Sequence, residues 1–249
     1  MAAATVIPPT ALEWLIGEEP GAVLLVGATS GFLSPLLARG DRLTVIDKDP
    51  AALREIAREH PEIQTVVAGS EHLPFDPSYF QAVLAVQNFH TLAPGLALGE
   101  WARVLRPEGR AGVVYLTRDD SVPWVKKLKL IVQSRLPSAM TADSGAGSVA
   151  AFRESSFFCR VEQVGYRLWV PCSRTALQEN AAGAEGAKSL SDGSLAAMLE
   201  EIGQLYDHYA RVPDPMQLPY QISCWRGWVD PSSALGGLTL PEDGLSISL

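Results

Sequence analysis

The unbroken apolar run Val23-Leu24-Leu25-Val26 passes directly into Gly27-Ala28-Thr29-Ser30-Gly31, and this junction constrains the chain more than any other stretch. An apolar run without polar alternation is the pattern of a parallel strand covered on both faces. Gly27 and Gly31 carry no Cβ, so the chain can turn sharply out of the strand and a ligand can approach main-chain N–H groups at the start of the next helix. A glycine turn also serves as a plain strand-to-helix connection, so the residues that follow decide between the two readings.

Helix and strand patterns alternate around this junction. Pro9, Thr10 and the apolar Leu12, Leu15 and Ile16 predict a short opening helix ended by Gly17 to Gly21. After the glycine turn comes a helix with Pro35 in its first turn, where the missing N–H costs little, and Gly40 at its end. Arg42 to Ile46 reads as a second strand terminating in Asp47. Asp49-Pro50 starts another helix, with Asp49 as N-cap, Pro50 at the first helical position, an inward stripe of Leu53, Ile56 and Ala57, and Pro61 as the stop. Gln64 to Ala68 and Ala82 to Gln87 read as the third and fourth strands, Leu96 to Leu105 as a helix, Pro107-Glu108-Gly109 as a turn and Arg110 to Leu116 as the fifth strand. Strands alternating with helices at this spacing predict an α/β fold with a doubly wound parallel sheet and its ligand at the carboxyl ends of the strands.

Charge and cysteine usage narrow the partners. A formal net charge of −8 argues against a nucleic-acid partner, whose phosphates call for clustered Lys and Arg. Cys159, Cys172 and Cys224 have neither disulfide nor metal-ligand spacing, so a reducing compartment and no metal are expected. The N-terminus lacks a basic segment followed by a long apolar run, and no stretch approaches a membrane-spanning length. A soluble cytoplasmic protein with no integral membrane association is the expectation. With 249 residues and an apolar fraction of 47%, one large domain is expected over residues 1–229. Residues 230–249 read as a poorly ordered tail.

Asp47 stands about twenty residues beyond the glycine turn, placed to accept hydrogen bonds from both hydroxyls of a ligand ribose. Two enzyme classes use this arrangement, one with a nicotinamide and one with S-adenosylmethionine. Gly27-Ala28-Thr29-Ser30-Gly31 resembles the glycine turn of NAD(P)-dependent short-chain dehydrogenases, but the likeness stops there. Leu33 replaces that family's third glycine, no Tyr-x-x-x-Lys pair exists, and Gln87-Asn88-Phe89-His90 replaces its usual Asn-Asn-Ala-Gly.

Three later blocks fit the other class. Glu71-His72-Leu73-Pro74-Phe75, then Phe80-Gln81-Ala82-Val83-Leu84-Ala85, then Glu100-Trp101-Ala102-Arg103-Val104-Leu105-Arg106-Pro107-Glu108-Gly109-Arg110 resemble, in order and spacing, the successive motifs of class I S-adenosylmethionine-dependent methyltransferases. The resemblance covers about residues 20–117, which would form the cofactor half, with a substrate or lid elaboration over about 118–229. It implies a Rossmann-like, seven-stranded, mostly parallel sheet with helices on both faces and an antiparallel last strand. Phe158 to Pro171 and Tyr220 to Val229 are then the sixth and seventh strands. It further implies S-adenosyl-L-methionine held by Gly27, Ala28, Thr29, Gly31, Asp47, Lys48, Ser70, Glu71 and Gln87, and methyl transfer to a small-molecule acceptor. His90 is the candidate general base at that edge, its competing reading a structural loop histidine.

Several positions depart from the family's pattern. Leu25 stands where an acidic residue tends to hold the methionine amino group, Gly69 where an Asp often meets the adenine amine, Gln81 where Asp usually precedes the fourth strand, and Thr29 at the middle glycine. These departures keep open a catalytically degenerate methyltransferase-like binding or regulatory protein, working as a homo-oligomer or with a partner subunit. Beyond the fifth strand, Trp124 to Val132 is a basic amphipathic stretch that reads as a surface helix, a lid, or a membrane-surface or partner-binding helix. Pro137 to Val149 and Leu177 to Ser194 read as mobile connections, and Leu195 to Tyr209 as a helix. Trp169, Trp225 and Trp228 read as core or strand packing.

Overall fold

The computed structural model describes residues 7–140, 146–184, 186–211 and 215–230. In chain order the elements are α1 (Pro9–Ile16), β1 (Ala22–Val26), α2 (Leu33–Ala38), β2 (Arg42–Asp47), α3 (Pro50–Glu59), β3 (Gln64–Val67), β4 (Phe80–Val86), α4 (Pro94–Val104), β5 (Leu105–Arg118), α5 (Pro123–Gln133), α6 (Val149–Arg153), β6 (Phe158–Cys172), α7 (Arg174–Ala182), α8 (Asp192–Tyr209) and β7 (Met216–Val229). The seven strands form one sheet of order β3-β2-β1-β4-β5-β7-β6. Pairings among β1 to β5 are parallel, whereas β7 runs antiparallel to both β5 and β6.

Every residue of β1 and β4 is buried, which is why neither shows polar alternation. One face of the sheet packs against α4 and α6 through Leu98, Trp101, Val149 and Phe152. The other packs against α1, α2 and α3 through Leu12, Leu15, Leu36, Leu53 and Ile56. A third cluster stands apart, joining Trp124, Val125, Leu128 and Val132 of α5 to Leu177 of α7, to Met198 and Ile202 of α8 and to Cys172 and Leu218 of the β6–β7 ribbon. The basic stretch is therefore a helix docked by its apolar side, with Lys126 and Lys127 on its exposed side.

Three expectations change. Leu177 to Ser194 is not one connection: Leu177 and Ala181 are buried in α7, and Ser173 caps that helix by accepting the Ala176 N–H at 3.1 Å. Its Ala- and Gly-rich composition masked a stripe that only shows once α8 covers it. The Pro107-Glu108-Gly109 turn lies inside β5 as a register shift, between the pairs Phe80/Leu105 and Ala82/Arg110, with Glu108 at φ +63°. Trp169 is 47% exposed, so it is not core, whereas Trp225 is buried. Of the connection expected over Pro137 to Val149, residues 141–145 lie outside the described residues, and Val149 opens α6. The tail expected at 230–249 also lies outside them, apart from Asp230.

Among the described residues no helix is long and apolar enough to cross a membrane, and no group of His, Cys, Asp and Glu is arranged to hold a metal. All three cysteines are free; Cys159 is exposed, and Cys172 and Cys224 are buried. Burial pushes the Cys224 thiol up to about 12. Native protein treated with iodoacetamide at pH 8 is expected to label at Cys159 alone, read by peptide mass mapping, because a buried protonated thiol is a poor nucleophile.

Candidate cofactor site

A hollow of about 370 Å³ opens over the carboxyl ends of β1 and β2 and the segment after β3, walled among others by Gly27, Asp47, Lys48, Ser70, Asn88 and Leu92. That volume lies in the range of small-molecule pockets. Gly27 adopts φ +86°, a conformation that favours glycine, and turns the chain out of β1. Its N–H donates to the Ile46 carbonyl at 2.7 Å, and the Thr29 N–H donates to the Gly27 carbonyl at 2.8 Å. Gly31 lies in a single 3-10 turn, Ser30–Phe32, that leads into α2 and is not part of the wall.

Asp47 does more than the sequence suggested. Asp49 is the N-cap of α3, accepting the Ala51 N–H at 2.8 Å. Asp47 Oδ1 accepts the Asp49 N–H at 2.8 Å, and Oδ2 accepts the Ala28 N–H at 2.8 Å. One carboxylate thus ties the glycine turn to the end of β2. An ionised carboxylate has about four acceptor positions, so two remain for a ligand.

Ser70 is buried, and its hydroxyl has no hydrogen-bond partner among the described residues. An unpaired buried hydroxyl is costly, and one set in the wall of a hollow is a position for a polar ligand atom. Beyond it, Lys48 Nζ and Glu71 Oε2 form an ion pair at 3.1 Å. Gly69 makes room for it: a Cβ there would lie 2.7 Å from Lys48 Cε and 2.8 Å from Glu71 Oε2. The Glu71 carboxylate therefore occupies side-chain space that an acidic residue at position 69 would claim. Partial burial opposes its charge, but its own backbone N–H, Lys48 and the Ala93 N–H outweigh that and hold the carboxyl below its ordinary value.

The loop that carries Ser70 and Glu71 is clamped from α4. Glu100 accepts the Leu73 N–H at 2.8 Å, while Arg103 donates to the carbonyls of Leu73 and Phe75, each at 2.8 Å. Glu100 and Arg103 also bond each other, so both charges are paired where they are half-buried. The helix motif preceding β5 holds this wall as well as presenting the strand. Gln81, at the usual Asp position, donates to the carbonyls of Ile16 and Glu19 and has no contact with the hollow.

Gln87 is not part of the hollow. At φ +62° it turns its amide to β5, donating to the Leu116 carbonyl at 2.8 Å and accepting the Leu116 N–H at 3.1 Å. Asn88 takes the position instead. Its Nδ2 donates to the Val26 carbonyl at 2.7 Å and lies 2.1 Å from where a Cβ on Gly27 would be. A ligand tail running along Gly27 requires that carboxamide to move. Leu25 is fully buried on the α1 side of the sheet and offers the hollow nothing.

His90 is exposed at the same edge. Its backbone N–H donates to the Tyr115 hydroxyl at 3.0 Å, Nδ1 lies 3.3 Å from that oxygen, and the hydroxyl is 3.1 Å from Ser148 Oγ. Tyr115 and Ser148 carried no sequence signal; the fold joins them by placing α6 over the end of β5.

A sheet of this order, reversed at its seventh strand and hollowed over β1 and β2, is the architecture of class I methyltransferases. The family model described as "Methyltransferase domain" matches residues 24–113. An uncharacterized methyltransferase of Mycobacterium tuberculosis is 36% identical over 126 residues, covering 50% of this chain and 52% of that protein. A demethylmenaquinone methyltransferase of Chlorobaculum tepidum is 33% identical over 109 residues, 42% of this chain and 44% of that one. The chain spans about half the length of the curated relatives it matches. A solved structure from Anaeromyxobacter dehalogenans, provisionally described as a type II methyltransferase, superposes with a TM-score of 0.66 at 18% identity, covering 90% of this chain and 97% of that one. Residues 24–113 thus match a methyltransferase domain, and the fold around them is the Rossmann-like one of class I methyltransferases.

Proposed function

We propose that this protein transfers a methyl group from S-adenosylmethionine to a small-molecule acceptor. The observation that carries this reading is the hollow itself, where Asp47 keeps free acceptor positions and Ser70 keeps an unpaired hydroxyl over a glycine turn. Asp47 would hold the ribose hydroxyls, the Gly27–Thr29 turn would lie against the amino-acid end, and Ser70 with Glu71 would face the adenine. When bound, the cofactor supplies an electrophilic methyl on a sulfonium. The chain's own task is then to align an acceptor and exclude water, which needs no obligatory acid or base. His90, beside Tyr115 and Ser148, would take a proton from an acceptor that must lose one.

The second reading, a binding module without turnover, is favoured by one contact: the Asn88 carboxamide lying on Gly27, where the methionine end would pass. Calorimetric titration with S-adenosylhomocysteine separates the two. Saturable binding to folded protein supports the enzyme, and no heat above dilution supports the module. Glu71→Gln is expected to weaken that binding roughly fivefold, since it removes a charged acceptor whose ion pair with Lys48 is partly exposed. Unchanged affinity would remove Glu71 from the adenine end.

A further inference from the structure

The amino ends of β4 and β5 face α1 across a second groove of about 730 Å³, at the opposite edge of the sheet from the cofactor hollow. Trp14, Arg106, Arg110 and Arg226 are among the residues that line it, and Arg110 and Arg226 also lie over the Trp228 ring. Strand register sets Arg110 of β5 opposite Trp228 of β7, and alternation puts Arg226 on the same face. The guanidinium carbons of Arg110, Arg160 and Arg226 lie 5.5, 4.5 and 4.7 Å from the centre of the Trp228 ring. Two backbone irregularities converge on this corner, the β5 bulge at Glu108 and the β6 bulge at Arg160, both with positive φ.

Two of the three guanidinia have evident structural work. Arg226 bonds Glu162 at 2.8 Å, donates to the Trp14 carbonyl and stacks on the Trp14 ring at 4.2 Å, which fastens α1 to β7. Arg160 is paired with Glu162 at 3.1 Å. Arg110 is left over. It is half-buried in the groove wall and makes no hydrogen bond or ion pair among the described residues. Burial, then Arg226 and Arg160, press its pKa downward, with Glu162 the opposing carboxylate. A guanidinium has five N–H donors in a planar fork, and those of Arg110, which face the open groove and meet no acceptor among the described residues, are available to an oxyanion.

We propose that this groove binds a small molecule bearing a phosphate or similar dianionic oxyanion, with Arg110 as its principal ligand. Arg106, which also lines the groove, supplies further positive charge, whereas the charge of Arg226 is paired with Glu162. Glu13, Glu18, Glu19 and Glu108 line the same groove and repel an extended polyanion, so the ligand is compact and held by the Arg110 fork. The site is separate from methyl transfer and stands whether or not the cofactor reading holds.

The test follows the indole resonances of Trp14 and Trp228 by NMR while inorganic phosphate, or glycerol 3-phosphate as a phosphomonoester, is titrated against chloride at matched ionic strength. Saturable shifts are expected for the unaltered protein. Arg110→Lys, which keeps the charge but loses the fork, is expected to bind about tenfold more weakly, and Arg110→Gln weaker still. The same spectra show whether each variant is folded. Tighter binding of glycerol 3-phosphate identifies an organic ester as the ligand class, and tighter binding of inorganic phosphate identifies the free ion. No saturable shift in the unaltered protein, or an equal response in a folded Arg110→Lys variant, overturns the proposal.

Discussion

Asp47→Ala is expected to lower affinity for S-adenosylhomocysteine by about 100-fold or more. A hydrogen bond to a charged group is worth about 1.5–3 kcal/mol, and two ribose hydroxyls are at stake, with each 1.4 kcal/mol a factor of ten. The same substitution also frees the Ala28 and Asp49 N–H groups that the carboxylate holds, so the glycine turn loses its tie to β2. Asp47→Asn keeps one acceptor oxygen and should fall between the two. Titration calorimetry beside thermal melting distinguishes the causes. A lower melting temperature with unaltered affinity would mean that Asp47 serves the loop alone.

Removing Asp119 should produce the largest loss of stability among single charged residues described. Its side chain is fully buried at the end of β5, where Oδ1 accepts the Ser121 hydroxyl at 2.6 Å, the Ser121 N–H at 3.1 Å and Gln221 Nε2 at 3.0 Å. Oδ2 faces Arg167 of β6 as an ion pair. One carboxylate thereby joins β5, β6, β7 and the approach to α5. Breaking a buried pair costs about 3–5 kcal/mol, and because Arg167 is half-exposed the expected loss for Asp119→Ala is about 2–3 kcal/mol. Burial opposes the charge of Asp119, but the bonds from Ser121, Arg167 and Gln221 outweigh it and hold the carboxyl below its ordinary value. A carboxyl depressed in this way contributes stability that is complete above the unfolded value of about 4 and is lost as pH falls through the folded one. Urea unfolding should therefore show a gap between the unaltered protein and Asp119→Ala that is wide at neutral pH and narrows under strong acid. A gap that is absent at neutral pH removes this role.

What the sequence disclosed was local. Val23 to Val26, the Asp49-Pro50 cap and the breaks at Gly40 and Pro61 act within a few residues of themselves, and the strands and helices they announce are present. The seven-stranded, mostly parallel sheet with its antiparallel last strand followed from the motif resemblance and is likewise present. Contacts between distant segments were not legible. Nothing near Asn88 announces that it will lie on Gly27, since the meeting depends on β1 and β4 being neighbours. Asn88 lines the hollow in place of Gln87 because a positive φ at Gln87 sends its amide toward β5, a backbone choice that side-chain chemistry does not encode. Gly69 looked like a lost function until the Lys48–Glu71 pair was seen to need its space.

The β6–β7 ribbon continues past its last pairing with β5, so Met216 to Pro219 pair with β6 and with no other strand, while the Pro219 carbonyl accepts the Asp119 N–H at 2.9 Å. Two strands by themselves are barely stable in water. This neck is stiffened by the cluster of α5, α7 and α8 seated on it, through Cys172 and Leu218. The helical cap thus braces the strand pair it rests on, with a core separate from the two that flank the strands shaping the cofactor hollow.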